Sequence, residues 1–262
     1  MERVEKNFQP LAKAKKEKLK PFFCRIGSKQ KIRKLILKNI PKHEIYVEPF
    51  LGGGAIFWAK DKSNYEILND KDKFLINDYK LLKKIKNYEL PDPNNFLNIK
   101  SINKFIETAP NTNINLLTKK ILVRCNTYGS KGKGKIYKES NPMKKLEKLD
   151  LYKEKLKNVK LYNESYENIL NKFDSKDTFF YLDPPYESSK TLYENHMIDY
   201  NQLRLLLDDL NGKWLLSIND SPNIRNIFKG YYIKQIVVNP SGNLAIGAEP
   251  RNELLIANYK LN

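Results

Sequence analysis

The chain is poor in the residues that build metal centres and covalent frameworks. Its 262 residues include two cysteines, Cys24 and Cys125, and two cannot supply a disulfide framework or a cysteine-rich zinc site. Two histidines, His43 and His196, leave no multi-histidine centre to expect. No run approaches the ~18 apolar residues of a membrane span, and the first 20 residues lack the apolar stretch of a secretory signal. Arginine is scarce as well, at 7 of the 48 basic residues. These absences lead us to expect a soluble, intracellular chain, cytoplasmic or DNA-associated, without a resident metal and without a membrane partner.

What is present is positive charge. Against 48 Lys and Arg stand 30 Asp and Glu, a formal net charge of +18 and a sequence pI near 9.6. With 40% hydrophobic and 11% aromatic residues the chain is too apolar for a disordered polycation. A folded, strongly basic protein most often meets a polyanion, nucleic acid before membrane. The competing reading is a solvated lysine-rich surface, since lysine is the less specific of the two cations. The length fits one large domain or one domain carrying an insert.

Residues 1–20 carry seven basic and three acidic side chains and read as a basic arm. Between Lys29 and Ile40 the apolar residues Ile32, Leu35, Ile36 and Ile40 predict an amphipathic helix ended by Pro41. A strand-like run at 44–50 leads into Gly52, Gly53 and Gly54 and then into an apolar segment that reads as a helix start. A second strand, 65–68, ends at Asn69-Asp70, before a helix with Phe74, Ile76, Tyr79, Leu82 and Ile85 on one face. Residues 87–115 show weak periodicity, whereas 119–160 hold 14 basic against 4 acidic residues. Strands and helices alternate again after about 157: strands at VKLYN, TFFYL and KWLLSI, helices near 165–172, 203–210 and after Ser221-Pro222. Two closing strands have no helix between them and predict an antiparallel pair. The pattern predicts an α/β fold: a mostly parallel sheet with helices on both faces, a terminal antiparallel pair, and an inserted, mainly helical module with a hairpin. The boundaries read as 1–20 for the arm, 21–72 and 157–262 for the two parts of the main domain, and 73–156 for the insert.

Three segments carry chemistry. In VEPFLGGG (47–54) a strand gives way to a glycine turn, the way an α/β sheet opens a nucleotide-sized crevice at its carboxyl edge. A glycine cluster is also, by itself, an ordinary turn. Asp70, at the end of the next strand, can accept both hydroxyls of a ribose or cap the following helix. The sharpest signal is Asp183-Pro184-Pro185-Tyr186, directly after TFFYL; at average residue usage it arises by chance in roughly one such chain per thousand. As a bare turn it would simply stop a strand. As chemistry, it presents a carboxylate, a carbonyl and an aromatic ring together: Asp183 and the Pro184 carbonyl can accept hydrogens from an exocyclic amine while Tyr186 stacks on the base.

In their order, VEPFLGGG, the Asp70 acid, NESY (163–166), the Asp183 tetrapeptide, WLLSIND and the closing ELLIANY resemble the Dam-type (D12 class) adenine-specific DNA methyltransferases, over nearly the whole chain from Phe22. The resemblance implies an S-adenosylmethionine (SAM)-dependent methyltransferase fold with a DNA target-recognition insert. The implied reaction transfers methyl from SAM to the N6 amine of adenine in a short duplex sequence, after flipping out the base. Double-stranded DNA is the implied partner, without a metal, and a cognate restriction endonuclease is a further candidate. Residue by residue, Lys29 matches the lysine of the family's N-terminal motif, with Arg25 in place of its Trp and Ser28 in place of a Gly, which implies that Arg25 and Lys29 border the cofactor. Phe50, Gly52 and Gly54 match the motif beside the methionine moiety, Asp70 the ribose acid, and Ser165 and Tyr166 positions near the cofactor adenine. Asp183, Pro184 and Tyr186 match the catalytic motif, Asp183 also bordering the cofactor.

In the insert, residues 124–137 resemble the family's base-reading hairpin. Asn126, Gly129 and Gly132 are retained; Ser130, Lys131 and Lys133 replace Tyr, Asn and Leu; Lys135 falls where an Arg reads a base. Arg124, Asn126, Tyr128, Ser130, Lys131, Lys133 and Lys135 are therefore expected at the DNA, with Lys119 and Lys120 on its backbone. Two other readings stay open: the same chemistry on RNA adenine or on the amine of cytosine in DNA, and a catalytically silent nucleic-acid-binding protein.

Overall fold

The computed structural model describes residues 18–127, 132, 134–186, 198–239 and 250–262. The basic arm lies outside them but for its last three residues. Seven strands form one sheet: Ile45–Glu48 (β1), Tyr65–Asn69 (β2), Lys160–Tyr162 (β3), Thr178–Leu182 (β4), Lys213–Asn219 (β5), Tyr232–Val238 (β6) and Arg251–Ala257 (β7). Their order is β3-β2-β1-β4-β5-β7-β6. The first five run parallel, with Val47 level with Ile67 on one side and Phe180 on the other. β7 is antiparallel to both β5 and β6, the pairing that the sequence pattern of the last two runs predicts.

The central strands are apolar on both faces, because both faces are covered. Along β4, β5 and β7 the side chains alternate between two cores. Phe179, Tyr181, Leu215, Leu255 and Ala257 enter one; Phe180, Leu182, Leu216, Leu254 and Ile256 enter the other. The second core is closed by helices Tyr166–Phe173 (α7), Tyr200–Asp208 (α8) and Pro222–Ile227 (α9), through Ile169, Leu203, Leu207 and Ile224. Ser221 caps α9 ahead of Pro222, its hydroxyl accepting from the Ile224 N–H.

The first core is larger and takes in the N-terminal segment, through Phe22 and Phe23, together with Arg33–Lys38 (α1) and Lys73–Lys84 (α2). The helices of the basic stretch join it too: Ile99–Thr108 (α3), Asn113–Asn126 (α4), Met143–Leu146 (α5) and Leu149–Leu156 (α6). Phe105, Leu117, Leu122, Tyr152 and Leu156 thus share one apolar cluster with the sheet's strands.

Several local expectations shift. α1 begins at Arg33 rather than Lys29. The segment after the glycines coils through successive turns instead of a regular helix. On α2, Phe74 is exposed and Leu75 is buried in its stead, so the apolar face is Leu75, Ile76, Tyr79 and Leu82. The weakly periodic stretch holds α3, started by a capping box in which Asn98 and Ser101 each satisfy the other's backbone N–H. Cys24 and Cys125, read as unable to build a framework, form one disulfide that ties the N-terminal segment to the end of α4. Among the described residues, no helix is long and apolar enough to cross a membrane.

Candidate active site

All the chemistry-bearing segments reach the carboxyl edge of the sheet, where loops leave β1, β2, β4 and β5. Two prolines follow Asp183, and neither can donate to a neighbouring strand, so β4 ends there and the chain turns out over the edge. The Tyr200 hydroxyl, from α8, donates to the Pro185 carbonyl and fixes that turn.

Asp183 Oδ1 accepts from Lys29 Nζ at 2.5 Å and from Ser217 Oγ at 3.4 Å. Lys29 is 3% exposed; its ammonium also donates to the Gly27 carbonyl and lies 4.8 Å from the centre of the Tyr186 ring. Ser217 is held in turn by the Tyr181 hydroxyl at 2.8 Å. Burial raises the Asp183 carboxyl above its ordinary range, while the Lys29 charge and the two hydrogen bonds pull it back. A second acid lies beneath. Glu48 is fully buried, accepts from the Tyr46 hydroxyl at 2.8 Å, and is pushed up to about 8 by burial first and by the Asp183 charge among other causes.

A crevice runs from Asp183 toward β2. Gly52 and Gly54 hold φ of +48° and +66°, backbone that side-chain-bearing residues rarely adopt. A Cβ on Gly53 would sit 3.1 Å from the Phe23 carbonyl oxygen. The turn so formed directs the Gly52 N–H onto Asp70 Oδ2 at 2.7 Å, and Asp70 Oδ1 accepts from the Asp72 N–H at 2.9 Å. Burial raises Asp70, opposed by these two N–H groups and the Arg25 charge. The cap of α2 is Asp72, which accepts from the Phe74 and Leu75 N–H groups, so the helix-cap alternative for Asp70 falls to its neighbour. Arg25 pairs with Asp72 at 3.0 Å and lies beside the glycine turn.

The far wall is aromatic: the Phe50 and Tyr166 rings are 5.2 Å apart at 35°. Ser165 caps α7 through the Asn168 N–H. Asn69, buried and missed in the sequence, ties this wall together by bonding the Pro49 carbonyl and both backbone groups of Glu164. A carboxylate offers about four lone-pair sites, and backbone N–H groups use two of those on Asp70. The others suit the two hydroxyls of a ribose. The glycine turn, acid and aromatic wall fit a nucleoside-bearing cofactor.

The insert differs from its sequence reading. Arg124, expected at the DNA, is 2% exposed; its Nε donates to Asp78 Oδ2 at 2.7 Å. Asn126 is fully buried, and its side chain exchanges hydrogen bonds with the Ser140 backbone. Both are corrected to supports of the fold beside the Thr127–Ile136 bridge. Lys119, partly exposed, donates from its ammonium to the Ala109 carbonyl, a brace between two helices. Lys120 and Lys135 are exposed. Tyr128, Ser130, Lys131 and Lys133 lie outside the described residues.

The family model for the D12 class N6 adenine-specific DNA methyltransferases matches residues 26–239. Among solved structures, the chain is similar to the precorrin 8W decarboxylase of Methanobacterium thermoautotrophicum, with 14% identity, 86% of this chain and 88% of that one covered, and a TM-score of 0.39. It is also similar to an rRNA methylase from Streptococcus thermophilus, with 10% identity, 88% and 94% covered, and a TM-score of 0.36. No curated protein matches the chain in sequence.

Proposed function

The chain belongs to the D12 class N6 adenine-specific DNA methyltransferases, and from that premise we propose that it methylates adenine at a short sequence in duplex DNA, after turning the base out of the helix into the Asp183 crevice. The observation that carries this reading is the end of β4: a half-buried carboxylate gripped on one oxygen by Lys29 and Ser217, beside an aromatic ring.

The cofactor is S-adenosylmethionine. We assign it to the crevice lined by Arg25, Phe50, Gly52, Gly54, Asp70, Ser165 and Tyr166, where it supplies a methyl group carried on a sulfonium. Asp70 holds the ribose and the Phe50–Tyr166 wall flanks the base of the cofactor. Lys29 and Ser217 act on Asp183 Oδ1, which leaves Oδ2 for a hydrogen of the target amine; the Pro184 carbonyl takes the other. An aromatic amine is a poor nucleophile because its lone pair is spread into the ring. Holding both hydrogens out of the ring plane turns the nitrogen pyramidal and frees that pair, so positioning and fixed charge supply the rate. Tyr186 stacks on the extruded base.

We further assign target selection to the insert, residues 73–156. Lys135 reads a base edge and Lys120 touches phosphate. The test is to incubate the protein with unmethylated genomic DNA and SAM and to map modified bases by single-molecule sequencing. N6-methyladenine at one short sequence is the expected result. Methyl found on cytosine, or on RNA in place of duplex, overturns the reading.

A further inference from the structure

Beyond Asp183, the crevice wall carries polar atoms that the fold leaves unsatisfied. Asn219, at the end of β5, stands opposite Glu253 on β7, so both lie at the same sheet edge as the end of β4. Asn219 Oδ1, Glu253 Oε2 and the Tyr186 hydroxyl are all buried, and among the described residues none has a hydrogen-bond partner. Tyr186 and Glu253 lie close enough for the hydroxyl to lower the carboxyl's pKa, yet their geometry falls short of a hydrogen bond. Buried polar atoms left unpaired destabilise a fold and are rare in native proteins. Three at one edge, next to the carboxylate assigned to the amine, are groups kept ready for a ligand.

We propose that Glu253, with Asn219 beside it, grips the ring edge of the target base by pairing with a ring nitrogen that shares a hydrogen-bonding edge with the amine. This rests on the proposed function, in which Asp183 takes the amine itself. Adenine has two such nitrogens, N1 and N7, and both only accept, so their partner must donate. Glu253 donates when protonated. Burial is the largest influence raising it and the Asp183 charge adds to that; Lys29, the Tyr186 hydroxyl and Arg251 act the other way. Asn219 can turn either its amide oxygen or its nitrogen to the pocket. Glu253 is thus a positioning group that sets the angle at which the amine is presented.

The test compares wild type, Glu253→Ala and Glu253→Gln on duplexes carrying adenine, 1-deazaadenine or 7-deazaadenine at the methylated position. Initial rates of methyl transfer give kcat and KM, and calorimetry gives SAM affinity. We expect Glu253→Ala to lower kcat/KM on adenine ~10- to 100-fold with SAM affinity kept. One deaza base should penalise the wild type by a similar factor and penalise Glu253→Ala no further, the signature of a shared contact. Glu253→Gln keeps a donor, so it should stay within ~3-fold of wild type and lose the fall in rate that wild type shows as pH rises. If both deaza bases penalise Glu253→Ala as heavily as wild type, the proposal is overturned. Where Glu253→Ala also loses SAM, the Glu253→Gln pH profile decides, and a profile like that of wild type overturns it. A wild type that methylates no adenine duplex overturns the proposed function itself, a failure visible before any variant is made.

Discussion

The crevice and the insert each bury a cation against a carboxylate, Lys29 on Asp183 and Arg124 on Asp78, and the surroundings of the two pairs differ. Asp78 is 5% exposed and takes Arg124 on one oxygen and Lys120, at 3.7 Å, near the other. Gly132 passes over the guanidinium so closely that a Cβ there would lie 3.2 Å from Arg124 Cζ. That pair is enclosed by the fold it supports. Asp183 keeps 22% of its side chain exposed, takes both of its bonds on one oxygen, and shares its sheet edge with three polar atoms that have no partner among the described residues. Buried ion pairs are weak evidence of function by themselves. Arg124 Nη1 also lacks a partner among the described residues, so what separates the working carboxylate from the structural one here is access, 22% exposed for Asp183 against 5% for Asp78.

The largest effect should come from Asp183→Ala. If the carboxylate acts on the amine in the transition state, turnover should fall ~1,000-fold or more while SAM and duplex affinities stay within about tenfold. Rapid-quench turnover alongside equilibrium binding measures both, and undiminished turnover would sink the mechanism. Arg124→Ala should do the reverse. Removing the buried partner of Asp78, and leaving it only the half-exposed Lys120, should lower stability by up to ~3–5 kcal/mol in urea unfolding. Its residual methylation should keep the wild-type sequence preference; a changed preference would make Arg124 a reader after all and erase the contrast.

The two regions were also unequally legible in the sequence. Asp183, Pro184 and Tyr186 are contiguous, and their chemistry depends on a turn that the prolines impose locally. Asp70 and the glycines lie at strand ends, where an α/β sheet places its ligands. In the insert the deciding partners are far apart along the chain. Arg124 is buried because of Asp78, 46 residues away, and Cys24 meets Cys125 across 101 residues. No local pattern announces either contact. The one-residue slip from Phe74 to Leu75 has a simpler source, since both are apolar and only packing decides which faces the core. Asn219 and Glu253 sit inside apolar strands and were passed over for that reason, although a polar residue interrupting such a strand near its carboxyl edge is itself a signal.

Asp70→Ala sharpens the comparison within the crevice. The residue accepts two backbone N–H groups and is assigned to the ribose, so its loss should weaken SAM binding ~10- to 100-fold by calorimetry while DNA affinity barely moves. Unchanged SAM affinity would reduce Asp70 to a brace for the glycine turn.

The smallest effects belong to the exposed lysines, and they test whether the insert reads sequence at all. Lys135 is exposed one residue from the Thr127–Ile136 bridge, a fixed point of the chain. A lysine there can donate to the acceptors of a guanine edge in the major groove. Lys120 is 48% exposed on α4, away from that bridge, where it suits a phosphate. Base contacts specify while phosphate contacts position. Lys135→Ala should therefore cost roughly 1–3 kcal/mol on the preferred site and relax preference at one base pair. Lys120→Ala should weaken all sequences alike and flatten the dependence of log affinity on log salt by about one unit. Methylation of a randomised duplex library by each variant, with binding measured across a salt series, separates the two. Equal preference profiles for Lys135→Ala and wild type would place sequence selection elsewhere in the insert and leave its charge a means of holding DNA rather than reading it.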